Sequence, residues 1–175
     1  VRYFEYFPTL EYSSTGTIDT NLLTDITVRA KFKSLAKENA FIYYPYIIKE
    51  GQRPDILSHL YYGRSEYVWI ILLANDIVDP LYEWPLNYFE FKSFIIDKYG
   101  SIESASTTTH HYELVDGGYE IDQTTYDATA VVDRKIVTQY DYETLLNEDK
   151  RQIRLLDSQY IVQITTEFER LFING

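Results

Sequence analysis

The stretch from Glu50 to Asp76, "EGQRPDILSHLYYGRSEYVWIILLAND", constrains the fold more than any other part of the chain. Gly51 turns the backbone, and Pro54 suits the first position of a helix, where its missing N–H costs nothing. Ile56, Leu57, Leu60 and Tyr61 recur at helical spacing. Gly63 then supplies the left-handed residue that ends such a helix. Ser65 is placed to cap a second helix, with Glu66 in its first turn facing the positive end of the dipole. That second helix, Glu66–Ala74, is apolar almost all round, so the spacing predicts burial on several sides. Upstream, "FIYYPYIIK" (Phe41–Lys49) is β-branched and aromatic and reads as a strand, which Pro45 confines to a sheet edge or a strand start.

The flanks are harder to read. Residues 3–12 form an extended aromatic segment broken by Pro8, and Ser13–Thr17 reads as a loop. Asn21–Ala40 fits helix and strand alike, with a helix favoured over Ser34–Asn39. Asn75–Leu86 is a turn-rich link. Asn87 followed by Glu90 marks a helix start, Tyr88, Phe91, Phe94, Ile95 and Tyr99 supply its apolar face, and Gly100 stops it. "SIESASTTT" reads as a polar spacer. Alternation on both sides of Asp116-Gly117-Gly118 predicts a hairpin, and 122–134 reads as a variable loop or weak strands. Tyr142–Gln152 reads as a helix and "IRLLD" as a short strand. Ile161, Ile164, Phe168 and Leu171 predict a terminal helix. The fold class is α+β: a small βαα core, an extended N-terminal segment, and hairpin and helical elements towards the C-terminus. Four segments follow: an arm (1–42), the core with its following helix (43–100), a hairpin and loop region (101–141) and a helical segment (142–175).

Charge and residue inventory narrow the function. Sixteen cations against 27 anions give a net charge of −11, which repels phosphate backbones and anionic lipid, so neither nucleic acid nor membrane is an expected partner. The longest apolar run, Tyr67–Ala74, is far short of the roughly 20 residues that span a bilayer. The N-terminal "VRYFEYFPTLEY" has no apolar signal core, so a soluble protein is expected. The absence of Cys removes thiolate chemistry and Cys-based metal sites. His110 and His111 are adjacent, and neighbours in a strand point to opposite faces, so a shared ion is not expected. Acid pairs such as Asp76/Asp79 and Glu113/Glu120 are unsurprising among 27 acids. Neither a nucleophile elbow nor a Gly-rich phosphate loop occurs. No catalytic residue, cofactor or metal is expected, and the chain reads as a non-enzyme. Eighteen Tyr and nine Phe exceed what a core of this size needs; their amphipathic rings suit protein interfaces. Trp69 reads as core. Trp84, in "YEWPL", reads either as an anchor for the following helix or as a contact hot spot.

The order strand, Gly turn, helix, "YYG", apolar helix, "AND" over Tyr44–Asp79 resembles the LysM module. That likeness implies a shallow glycan groove between Gly51, Gln52, Arg53, Pro54 and Asp55 on one side and Asn75, Asp76 and Asp79 on the other. The first loop lacks the module's Gly-Asp-Thr/Ser-Leu pattern. "VDPLYEWPL" also runs into a long helix where a closing "GQ-x-L" strand is usual. Across the whole chain, the ordered blocks "TDITVRAKF", "YYPYIIKEGQRPDILSHLYYG", "YVWIILLANDIVDPLYEWPL", "KYGS", "HHYE" and "NEDKRQIRLL" resemble the LysM-like baseplate wedge subunits of contractile-tailed bacteriophages. The resemblance implies a structural virion protein that joins neighbouring wedges. Its implied partners are sheath-initiator-like and helical wedge-core subunits and the central hub. It would be present in multiple copies in a ring, assembled in the host cytoplasm and located in the tail baseplate. Tyr82 and Trp84 join the groove residues as candidate interface positions. The alternative is a module that binds peptidoglycan glycan.

Overall fold

The computed structural model describes residues 3–13, 21–28 and 42–173. The helix expected over Ser34–Asn39, and the loop expected after Ser13, lie outside the described residues. In chain order the elements are β1 (Thr9–Tyr12), β2 (Asn21–Thr24), β3 (Tyr43–Ile47), α1 (Pro54–Tyr62), α2 (Val68–Ala74), α3 (Pro80–Glu83) and α4 (Tyr88–Tyr99). There follow α5 (Ile102–Thr107), β4 (Thr109–Leu114), β5 (Glu120–Ile121), α6 (Gln123–Ala128), β6 (Arg134–Thr138), α7 (Gln139–Asp149), β7 (Gln152–Leu156) and α8 (Ile161–Ile173). The mixture of helices and small sheets is α+β, as expected.

Two compact units share the chain, and neither is continuous in sequence. One comprises Val1–Ile47, Gln52–Glu83 and Ile153–Gly175; the other comprises Ile48–Gly51 and Trp84–Gln152. The segments 43–100 and 142–175, continuous in the sequence reading, each contribute to both.

In the first unit, β3 pairs with β7. The Asp157 N–H donates to the Ile42 carbonyl at one end, and just past the other end, at residues assigned to the second unit, the Ile48 N–H donates to the Arg151 carbonyl; the crossed order makes the pair antiparallel. The partner of β3 thus arrives more than a hundred residues later in the chain. Helix α1 begins at Pro54 after an extended Arg53 and ends at Gly63, whose φ of 76° and N–H bond to the His59 carbonyl make a left-handed cap. The buried face differs from the expected one. Leu57 and Ser58 are buried, whereas Ile56 and Leu60 are exposed. Ser58 can be buried because its hydroxyl donates to the Arg64 carbonyl at 2.7 Å. The next helix also starts later than expected. Ser65–Tyr67 form a 3-10 turn with no side-chain cap, and α2 begins at Val68. Trp69, Ile70, Ile71 and Ala74 are buried, as its all-round apolar character requires.

The core of this unit joins Phe7, Tyr43, Trp69, Ile70, Ala74, Leu156, Ile161 and Phe168. Trp69 packs on Phe168 at 4.5 Å between ring centroids, and Phe7 stacks on Phe172 at 4.6 Å. The N-terminal aromatics thus have a use that periodicity could not reveal: they cover α8. The Tyr62 hydroxyl donates to the Leu156 carbonyl at 3.0 Å, tying α1 to β7, and burial pushes its pKa strongly up. Strands β1 and β2 form an antiparallel ribbon with Leu10 opposite Leu23, exposed along its length.

In the second unit, α4 opens with a full capping box. The Asn87 side chain accepts from the N–H groups of Phe89 and Glu90, and Glu90 accepts from the Asn87 N–H. Two expectations fail downstream. The "polar spacer" is helix α5, capped by Ser101 and pinned by a fully buried Ala105. The stretch 122–134, expected as a variable loop or weak strands, contains helix α6, capped by Asp122, and β6 begins only at its last residue, Arg134. The hairpin at Asp116–Gly118 forms as expected, with φ of 80° at Gly117 and 63° at Gly118. Strand β6 joins it in a three-stranded antiparallel sheet of order β5-β4-β6. Helix α7 starts at Gln139, earlier than expected, through a capping box between Thr138 and Asp141. Phe91, Ile95 and Ala105 form the core, with Leu86, Phe94, Tyr99, Ile102 and Tyr140 packed against it.

Candidate functional site

The candidate positions divide between the two units. Gln52, Arg53, Pro54, Asp55, Asn75, Asp76, Asp79 and Tyr82 belong to the first; Gly51 and Trp84 belong to the second. Many of their polar groups hold the fold. The Tyr46 hydroxyl donates to Gln52 Oε1 at 3.0 Å. Arg53 clasps Asp55 through two bonds, at 3.1 and 3.0 Å, on the exposed lip of α1. Pro54 is the first residue of that helix, and Gly51 takes a φ of 66° in the turn before it.

Asn75 is the most heavily engaged. Its side-chain amide donates to the carbonyls of Ile71 (2.8 Å) and Arg154 (2.9 Å), and its oxygen accepts from the Arg154 N–H (2.9 Å). Both amide hydrogens are therefore in use, and the side chain clamps β7 to the end of α2. Arg154 closes the joint from the other direction. Its Nε donates to the Ala74 carbonyl at 2.8 Å, and its guanidinium lies 4.8 Å from the centre of the Tyr43 ring.

The second unit repeats the device. Asn147 Nδ2 donates to the Leu86 carbonyl at 3.0 Å, and its Oδ1 accepts from the Leu86 N–H at 2.8 Å. Trp84, nearby in sequence, is buried at 7% exposure. Asp76, Asp79 and Tyr82 are exposed, and their segment continues past α2 into α3.

The two histidines depart from the strand rule. A register shift between Thr109 and His111 interrupts the β4–β6 ladder. In consequence the rings meet, Nδ1 to Nδ1 at 2.7 Å, instead of pointing to opposite faces. His110 stacks on Tyr142 at 3.9 Å, and His111 Nε2 engages Glu113 at 2.8 Å. The His111 bond and Lys135 hold the Glu113 carboxyl below its ordinary range despite partial burial. Beside them, Glu143 is buried and receives bonds from Lys98 Nζ (2.6 Å) and the Tyr99 hydroxyl (2.7 Å). Among the described residues, no group of three or more His, Asp or Glu is arranged to hold a metal. These charged groups are paired with one another across α4, β4, β6 and α7, an arrangement that ties elements together.

Sequence comparison decides the family. A family model described as base plate wedge protein 53 matches residues 2–132. The chain belongs to that family. It is also 27% identical, over 191 aligned positions, to the baseplate wedge protein gp53 of Enterobacteria phage T4, with 96% of this chain and 94% of that relative covered. The family expected from the order of the sequence blocks is the family found. A structural role in a phage baseplate follows from membership.

Proposed function

We propose that this chain joins neighbouring baseplate wedges and holds other inner-baseplate subunits in a contractile tail, through contact surfaces and without bond chemistry. The supporting observation is the amount of large apolar surface that the fold leaves in water. Leu81, Phe89 and Tyr82 are 80%, 78% and 76% exposed. The β1–β2 ribbon adds Leu10, Tyr12, Leu22 and Leu23, all exposed, on a two-stranded element that is marginal in water by itself. Surfaces of this kind mark sites of association. Sheath-initiator-like and helical wedge-core subunits are the proposed partners, with copies arranged in a ring assembled in the host cytoplasm.

Co-expression of this chain with those subunits, followed by purification and electron microscopy, tests the reading. A stoichiometric complex burying well above the roughly 1,600 Å² of an ordinary interface is expected. A monodisperse monomer that ignores every baseplate subunit would overturn it.

The β3–α1–α2–β7 arrangement supports a second reading, in which the first unit is a LysM-like module. Asn75 speaks against glycan recognition there, since its amide is committed to β7. Chitin oligomers titrated by calorimetry are expected to give no heat; micromolar binding abolished by changes at Arg53 and Asp76 would favour the module.

A further inference from the structure

Residues 76–83 form a projecting knuckle whose shape is fixed and whose apolar side chains face water. Asp76, with a φ of 58°, turns the chain out of α2, and the Ile77 N–H anchors the exit by donating to the Leu72 carbonyl at 2.9 Å. The Glu83 carboxylate accepts from the Val78 and Asp79 N–H groups, at 2.6 and 2.7 Å. Asp79 accepts from the Leu81 N–H with its side chain (3.0 Å), and from the Tyr82 and Glu83 N–H groups with its carbonyl (3.1 and 2.9 Å). Backbone held this firmly loses little further freedom on docking.

Such a segment needs only polar residues if it merely reverses the chain. Instead it presents Val78, Leu81 and Tyr82 at 65%, 80% and 76% exposure. The exposed acids Asp79 and Glu83 flank this tip in sequence, and the segment from Tyr67 to Phe91 itself holds no Lys, Arg or His. An apolar tip flanked by carboxylates is complementary to an apolar pocket rimmed with cations. A second copy of this chain, at net charge −11, would bring like charges together.

We infer that Val78, Leu81 and Tyr82 seat in an apolar pocket, rimmed by Lys or Arg, on a baseplate subunit of different sequence. The inference rests on the assembly role proposed above.

Two measurements test it in baseplates assembled in cells. First, a photo-crosslinking benzoylphenylalanine replaces Leu81, and the cross-linked peptides are identified by mass spectrometry. Cross-links to apolar residues flanked by Lys or Arg on one other subunit are expected. Cross-links to a second copy, or to no subunit, overturn the inference. Second, Leu81→Asp and the double change Leu81→Ala with Tyr82→Ala are compared with wild type for incorporation, with Val131→Asp as an exposed-site control. At least tenfold loss is expected for both knuckle variants, with circular dichroism and the control unchanged. If wild type fails to incorporate, the assembly role itself falls. If wild type and both knuckle variants incorporate equally, only the knuckle inference falls.

Discussion

Replacing Asn75 with alanine isolates the joint that closes the first unit. The amide makes three bonds, two of them to the backbone of Arg154 in β7. Alanine leaves the N–H and the carbonyl of Arg154 without that partner at a half-buried site. An orphaned buried group costs about 1–3 kcal/mol and a made bond nets about 1 kcal/mol, so a loss of about 3 kcal/mol is expected. The effect reaches the core, because Leu155 and Leu156, the next residues of β7, are fully buried. With a urea slope of about 2 kcal/mol/M, the midpoint falls by about 1.5 M. Asn75→Asp keeps the acceptor for the Arg154 N–H but sets a carboxylate against two carbonyls, so it rescues little. Urea unfolding gives the global figure, and hydrogen exchange at the Arg154 amide gives the local one. A midpoint within about 0.2 M of wild type, with Arg154 exchange unchanged, would refute the clamp.

Three further outcomes are expected. Burial alone would raise the Glu143 pKa, but the bonds from Lys98 and Tyr99 outweigh it, and the carboxyl titrates below its ordinary 4.5. A lowered folded value means stability that is complete above the unfolded pKa and lost as pH falls through the folded one. Glu143→Gln is therefore expected to flatten part of the acid limb below about pH 4.5 and to cost about 1–3 kcal/mol at neutral pH, read by urea melts across pH. Truncation after Lys150 removes β7 and α8, and with them buried Leu155, Leu156, Ile161 and Phe168; loss of the near-ultraviolet signal of Trp69 is the expected readout. Trp69→Ala opens the aromatic core against Phe168 and is expected to cost about 3–5 kcal/mol in a denaturant melt.

What the sequence disclosed follows from where the signal resides. Helices α1 and α4 were legible because their ends are written locally, in Pro54 and Gly63 and in the Asn87–Glu90 box. Helices α5 and α6 were missed because they are short and rich in Ser and Thr, with Ala105 the one buried residue noted between them. Their caps, Ser101 onto the Ser104 N–H and Asp122 onto the Thr125 N–H, were the available clue. Ser58 and Leu60 exchanged places because burial follows satisfied hydrogen bonds as well as hydrophobicity: the serine hydroxyl has an acceptor in Arg64, while Leu60 simply faces out. The histidine pair was misjudged because the strand alternation rule assumes an unbroken ladder, and a register shift leaves no mark in residue types. The knuckle at 76–83 combines a readable part, the turn-rich composition of Asn75–Leu86, with an unreadable one, the exposure of Leu81 and Tyr82.

The least legible feature, the pairing of β3 with β7, also explains why the chain is organised as it is. Trp84–Gln152 lies between β3 and the rest of β7 in sequence, so the first unit is complete only once the chain has passed through most of the residues of the second. Closing so long a connection costs little more than closing a short one, since loop entropy rises only logarithmically with length. The inserted residues offset their own ordering through a separate core around Phe91, Ile95 and Ala105. What the long connection does require is a specific attachment for the returning strand. Hydrophobic burial of Leu155 and Leu156 provides attraction without choosing a register. Asn75 narrows it, because the Arg154 N–H and carbonyl both face its amide and a slip of one residue would turn the next pair away. Asn147 does the same for Leu86 in the second unit. Such two-point locks add to each unit a resistance to slippage that comes from directional bonds and that apolar packing alone does not supply.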